Sequence, residues 1–85
     1  MATPAVKANL RRSVRRNSDA AGTIYDGSAH IPCQLENISE GGACVRLATA
    51  ATIPPVFLLI VPSEKLDRSC FLVWRDGGRI GVQFV

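Results

Sequence analysis

The chain has 85 residues, 47% apolar and 20% charged, which leaves room for one small core and excludes a second independently folding domain. These fractions are those of a globular domain, and the longest apolar run, Val56 to Val61, is far too short to cross a bilayer. The net charge of +3 is unevenly placed: Met1 to Arg16 holds Lys7, Arg11, Arg12, Arg15 and Arg16 with no acid, for +5, and the remainder sums to −2. A basic arm on a weakly acidic body points to an anionic partner met at one place. No apolar stretch follows the first basic residues, so a secretory signal is not supported and a cytoplasmic location is expected.

Residues 1–10, with Pro4 and no apolar period, read as a disordered tail. Ala8 to Asn17 is the only candidate helix, and its four arginines make it an exposed arm rather than a core element. The arm is assigned to residues 11–21 and a barrel to 22–85. Thr23 to Tyr25 is a short strand ended by Asp26-Gly27, a dipeptide suited to a tight hairpin. Ile31, Cys33 and Leu35 alternate with Pro32, Gln34 and Glu36, the period of a half-buried strand. After Glu40-Gly41-Gly42, Ala43, Val45 and Leu47 alternate with Cys44 and Arg46 to give a third strand. Pro54-Pro55 bars a helix before the apolar run Val56 to Val61, and Pro62 to Arg68 is polar and turn-like. Cys70 to Arg75 and Arg79 to Val85 are two further strands joined by Asp76-Gly77-Gly78. Six short strands at this spacing predict an all-β, six-stranded antiparallel barrel, because an open sheet of this size would expose long edges.

Cys33, Cys44 and Cys70 are an odd number without a CxxC pair, each inside an apolar or alternating stretch, and read as reduced, buried thiols. With His30 they match no standard zinc spacing, so no metal site is expected. One histidine and no instructive carboxylate, Ser/His/Asp or Cys/His grouping argue against an enzyme. His30 reads as an exposed strand-edge residue, and Ser63-Glu64-Lys65 with Asp67-Arg68 as a solvated loop. Trp74, alternating with Leu72, reads as a core or subunit-contact aromatic ahead of a base-stacking one.

Two motifs remain. Arg11-Arg12-Ser13-Val14-Arg15-Arg16 contains two overlapping RxxxR spacings, Arg11 with Arg15 and Arg12 with Arg16, each able to aim two planar, permanently charged guanidiniums at one phosphate or guanine edge. Asn37-Ile38-Ser39-Glu40-Gly41-Gly42 fits [D/N]-x-S-x-x-G. On an extended backbone Asn37 and Ser39 share a face, while Gly41 and Gly42 suit a positive-φ turn and close ligand approach. Alone, the first reads as a solvated basic tail and the second as a strand end.

Together, in this order and ahead of a β-rich remainder, they resemble the PilZ domain, the bacterial receptor module for cyclic di-GMP. The resemblance covers Arg11 to Val85 and includes a closing segment, Val73-Trp74-Arg75 through Arg79 to Phe84, that looks like the family's final hairpin. It implies a barrel whose flexible basic arm clamps the dinucleotide against the second motif. Arg11 and Arg15 would form the arginine pair with Arg12 beside them, and Arg16 permits a shift by one residue. Asn37 and Ser39 would meet a guanine edge and nearby polar atoms, and Gly42 would set turn geometry. The ligand is then cyclic di-GMP, with no resident cofactor, no membrane insertion and an effector protein as reader. The family's C-terminal helix has no counterpart before Val85, so one barrel end is expected to expose apolar surface and oligomerisation is open. Two other readings stand beside this receptor: a nucleic-acid-binding barrel, which the −2 body disfavours for duplex DNA, and a PilZ-like protein-interaction adaptor without ligand binding.

Overall fold

The computed structural model describes residues 15–85. The expectations placed on the tail, on Arg11 and Arg12 and on residues 8–14 of the candidate helix lie outside the described residues. In chain order the strands are β1 (Arg16–Asn17), β2 (Ala21–Tyr25), β3 (His30–Ile38), β4 (Gly42–Leu47), β5 (Val56–Val61), β6 (Leu66–Asp76) and β7 (Arg79–Phe84), with a 3-10 turn at Pro62–Glu64 between β5 and β6. Every pairing is antiparallel. The sheet runs β3-β2-β5-β6-β7-β4 and closes through β3–β4 into a six-stranded barrel, with β1 laid against the end of β3. Among the described residues there is no α-helix, and no helix long and apolar enough to cross a membrane.

Closure depends on β3. Its first half pairs with β2, from Tyr25↔His30 to Ala21↔Gln34, and its second half pairs with β4, from Cys33↔Leu47 to Ile38↔Ala43. One nine-residue strand thus serves both edges of the sheet, and neither edge is left open. Alternation puts Ile24, Leu35, Val45, Leu59, Val61 and Ile80 inside with no exposed surface. Each of the two hairpin turns read from Asp-Gly forms around a glycine at positive φ, Gly27 at 105° and Gly77 at 62°. The first is longer than a two-residue turn, with the Asp26 carboxylate accepting the amides of Ser28 at 2.9 Å and Ala29 at 2.7 Å.

Two expectations need correction. At its described end the candidate helix is a strand, since Arg16 and Asn17 pair with Ile38 and Asn37; β3 beyond its pairing with β2 supplies the backbone partners a helix would otherwise have found within itself. The sixth strand is longer than Cys70 to Arg75, beginning at Leu66. Asp67 and Ser69 face outward between buried Leu66 and Cys70, and their polarity hides a strand that pairs with β5 from Val61↔Leu66 onward.

Candidate functional site

The second motif lies where β3 ends and β4 begins, and a β-bulge decides which of its side chains reach solvent. The β3–β4 register shifts between Leu35 and Asn37, leaving Glu36 as the extra residue. Without it, alternation from buried Leu35 would turn Asn37 into the core. The bulge sends Asn37 outward and returns Ile38 to the core side, where it packs on the buried cluster. Ser39 follows, its hydroxyl 3.4 Å and its amide 2.8 Å from the Gly42 carbonyl oxygen.

A second bulge does the same for Trp74. The β6–β7 register shifts between Leu72 and Trp74. Leu72 stays paired with buried Val82, Val73 is the extra residue, and Trp74 pairs with Gly81 on the outer face, 43% exposed. The core reading of Trp74 is therefore wrong: the alternation with Leu72 that suggested it is broken by one inserted residue.

Between the two bulges, direct partners run in one row across four strands: Asn37 to Cys44, Cys44 to Gly81, Gly81 to Trp74. The small residues in the middle form a floor and the larger ones at the ends form rims. The result is an open groove of about 780 Å³, lined among others by Arg15, Asn37, Ser39, Gly42, Trp74 and Arg79. Gly81 lets the indole lie flat on the strand, for a Cβ there would overlap the Trp74 ring. Gly42 is needed for a different reason from the one expected. Neither Gly41 nor Gly42 has positive φ; Gly42 is buried in β4, and a Cβ on it would overlap the Val82 carbonyl oxygen across the strand pair.

Of the first motif's described residues, Arg15 reaches this groove. Arg15 Nη1 donates to Asn37 Oδ1 at 2.9 Å, so the two motifs touch. Arg16, the next residue on an extended chain, turns away and pairs with Glu64 through Nη2 to Oε1 at 2.6 Å and Nη1 to Oε2 at 3.3 Å. Glu64 is thus no free charge on a solvated loop. It is mostly covered, and the Arg16 hydrogen bond, opposed by burial and helped by the guanidinium charge, holds its carboxyl below the ordinary range. At the far side, Arg79 Nε donates to Glu36 Oε1 at 2.9 Å, and Arg46 pairs with the other oxygen. Burial pushes the Glu36 carboxyl up, but hydrogen bonds and charge from Arg79 and Arg46 outweigh it and leave it lowered.

The cysteines divide by face. Cys33 and Cys70 sit in the core, where burial pushes each thiol up to about 11. Cys44 is equally covered but on the outer side, in the groove floor near Arg79 Nη2 at 3.6 Å. Among the described residues no group of His, Cys, Asp and Glu is arranged to hold a metal ion. His30 is exposed at the start of β3 and stacks on Tyr25 with ring centroids 4.7 Å apart. Trp74, Gly81 and Arg79 are lining residues that the motifs do not contain. Their signal was the aromatic and the Arg-x-Gly of the last hairpin, concealed by the bulge.

A small closed β-barrel carries on its outer face a groove rimmed by guanidinium, amide and indole, groups that suit the binding of an anionic, planar ligand. Residues 9–85 match the sequence model of the PilZ domain, and the chain belongs to that family. PilZ domains are binding and adaptor modules known for cyclic di-GMP recognition. No curated protein matches the chain.

Proposed function

We propose that this protein is a cyclic di-GMP receptor that captures the dinucleotide in the groove and relays its level to an effector protein in the cytoplasm. The observation that carries the reading is the Arg15–Asn37 contact, which joins the basic arm to the β3 motif at the groove rim. Arg15 donates to phosphate or guanine, with Asn37 and Ser39 meeting a base edge and Trp74 offering a stacking face across the floor. Gly42 serves by letting β4 approach β7. Of the two arginine registers, Arg11 with Arg15 is favoured over Arg12 with Arg16, since Arg16 is engaged by Glu64. Ligand capture draws Arg11 and Arg12 toward the groove as well, and the altered arm is the surface an effector reads.

Calorimetric titration with cyclic di-GMP, with GTP and a short DNA duplex as controls, tests this. Saturable binding of the dinucleotide alone is expected. Losing a charge-assisted hydrogen bond costs ~1.5 to 3 kcal/mol, so Arg15→Ala weakens it about tenfold or more. Ser39→Ala weakens it less and leaves the fold intact. DNA binding with a steep salt dependence and no dinucleotide binding would replace this reading with the nucleic-acid one; a folded protein that binds neither would leave the adaptor.

A further inference from the structure

Arg15 and Arg16 are neighbours on an extended segment, so their side chains leave in opposite directions, one to the groove and one to Glu64. The strand that holds them, β1, has only two residues, pairing Arg16 with Ile38 and Asn17 with Asn37. So short a pairing fixes little by itself. Side chains supply the rest. Glu64 accepts both Nη atoms of Arg16 and also the Ser18 hydroxyl at 3.3 Å, while the Ser18 amide donates to the Glu36 carbonyl oxygen at 2.9 Å. The Ser18 hydroxyl in turn accepts the Ala20 amide at 3.2 Å. Glu64 itself is held in place: it ends the 3-10 turn that starts at Pro62, and Lys65 closes that turn in the left-handed conformation, its amide donating to the Pro62 carbonyl oxygen at 3.0 Å.

We propose that Arg16 and Glu64 form a latch that fixes the root of the arm and so presents Arg15 to the groove before ligand arrives, Arg16 being a positioning residue and not a ligand contact. The inference rests on the reading that cyclic di-GMP occupies the groove. A planar guanidinium paired through two nitrogens with a mostly covered carboxylate is the geometry in which an ion pair near the surface holds a direction as well as a charge. With the root fixed, less conformational freedom remains to be lost at binding, and affinity depends on Glu64 although Glu64 is not among the residues lining the groove.

A charge exchange separates the latch from direct contact, because the doubly substituted protein has no arginine at position 16. Cyclic di-GMP is titrated into the wild type, Arg16→Glu, Glu64→Arg and the Arg16→Glu/Glu64→Arg double variant, and amide exchange at Arg16 to Ser18 is followed in each without ligand. Each single variant is expected to bind about fivefold or more weakly and to exchange faster, and the double variant to recover most of both losses. A double variant as weak as Arg16→Glu, with exchange restored, would make Arg16 a ligand contact and overturn the latch. Faster exchange in Glu64→Arg with undiminished affinity would overturn it equally, by showing that the root need not be fixed. If the wild type binds no cyclic di-GMP, the receptor reading and the presentation of Arg15 to that ligand fall together. Ligand-free exchange then still decides whether the pair orders the root.

Discussion

Gly81 and Trp74 depend on each other. The indole occupies the space a side chain at position 81 would take, and this keeps a large aromatic flat on the outer face instead of projecting into solvent. Gly81→Ala therefore dislodges the ring while leaving the inward face of β7, with buried Ile80 and Val82, untouched. Base stacking on an aromatic is worth ~1 to 3 kcal/mol, so Trp74→Ala is expected to weaken cyclic di-GMP binding about tenfold, and Gly81→Ala to weaken it by displacing the ring. Trp74 is the single tryptophan of the chain, so its fluorescence reports directly on the groove. An emission spectrum unchanged at saturating ligand would remove it from the site. The thiols show a different constraint. Burial raises all three, those of Cys33 and Cys70 to about 11, so at pH 8 little thiolate is present and alkylation of the native protein is expected to be slow until unfolding exposes the sulfurs.

The strands position the site through their irregularities. A regular β3 would bury Asn37 beside Leu35, and a regular β6 would aim Trp74 at the core; in each strand one extra residue, Glu36 or Val73, reverses the parity of the residues after it. Glu36 is more than a spacer, since it binds Arg46 and Arg79 and so ties β3 to β4 and β7 beneath the groove. The Gly-Gly step between β3 and β4 separates into two roles. Gly42→Ala forces a Cβ into the Val82 carbonyl oxygen and is expected to cost ~1 to 3 kcal/mol, whereas Gly41→Ala meets open space and should fall within about 0.5 kcal/mol of wild type. Urea denaturation of both variants measures this, and equal costs would show that the close β4–β7 approach does not constrain position 42.

For the whole molecule, closure of the sheet leaves two ends to cover, and side chains do part of the work. At the end where β7 finishes, the Arg68 guanidinium lies 4.8 Å from the Phe84 ring centroid and donates to the Val85 carbonyl oxygen at 3.1 Å, while the side chains of Val56, Phe71 and Val85 stay exposed. Elsewhere Arg75 donates to the Ala51 carbonyl oxygen, holding the segment that brings buried Ile53 onto the core. Carboxylates set the acid limit of the fold. Asp26 is lowered by the Ala29 and Ser28 amides, Glu64 by Arg16, and Glu36 by Arg79 and Arg46 against its burial. Each has a folded pKa below its unfolded value of about 4, so the unfolded chain binds protons first as pH falls. Their stabilisation is complete above that value and is lost as pH drops through the folded pKa values. The melting temperature is thus expected to be flat near neutral pH and to decline below about pH 4.5, and a protein equally stable at about pH 3 would contradict the assignment.

The all-β class, the number of barrel strands and both Gly-centred turns were legible in the sequence, because period-2 alternation and Asp-Gly steps act through local sterics and local burial. The Asn37–Ser39 pair was legible for a similar reason: spacing along an extended chain determines which side chains share a face, and both line the groove. What the tertiary structure decided is everything that needed a neighbouring strand. Alternation cannot reveal a bulge, since the extra residue exists only relative to a partner, and so the spacing from Leu72 reads Trp74 as a core or subunit-contact residue. The roles of Gly42 and Gly81 come from what lies across the strand pair, Val82 in one case and the Trp74 indole in the other. The separation of Arg15 from Arg16 came from Glu64, 48 residues away along the chain and next to the arm only once β1 lies on β3 and the 3-10 turn follows β5. Two identical, adjacent arginines cannot be told apart by their own chemistry; only the partners the fold brings to each can do so.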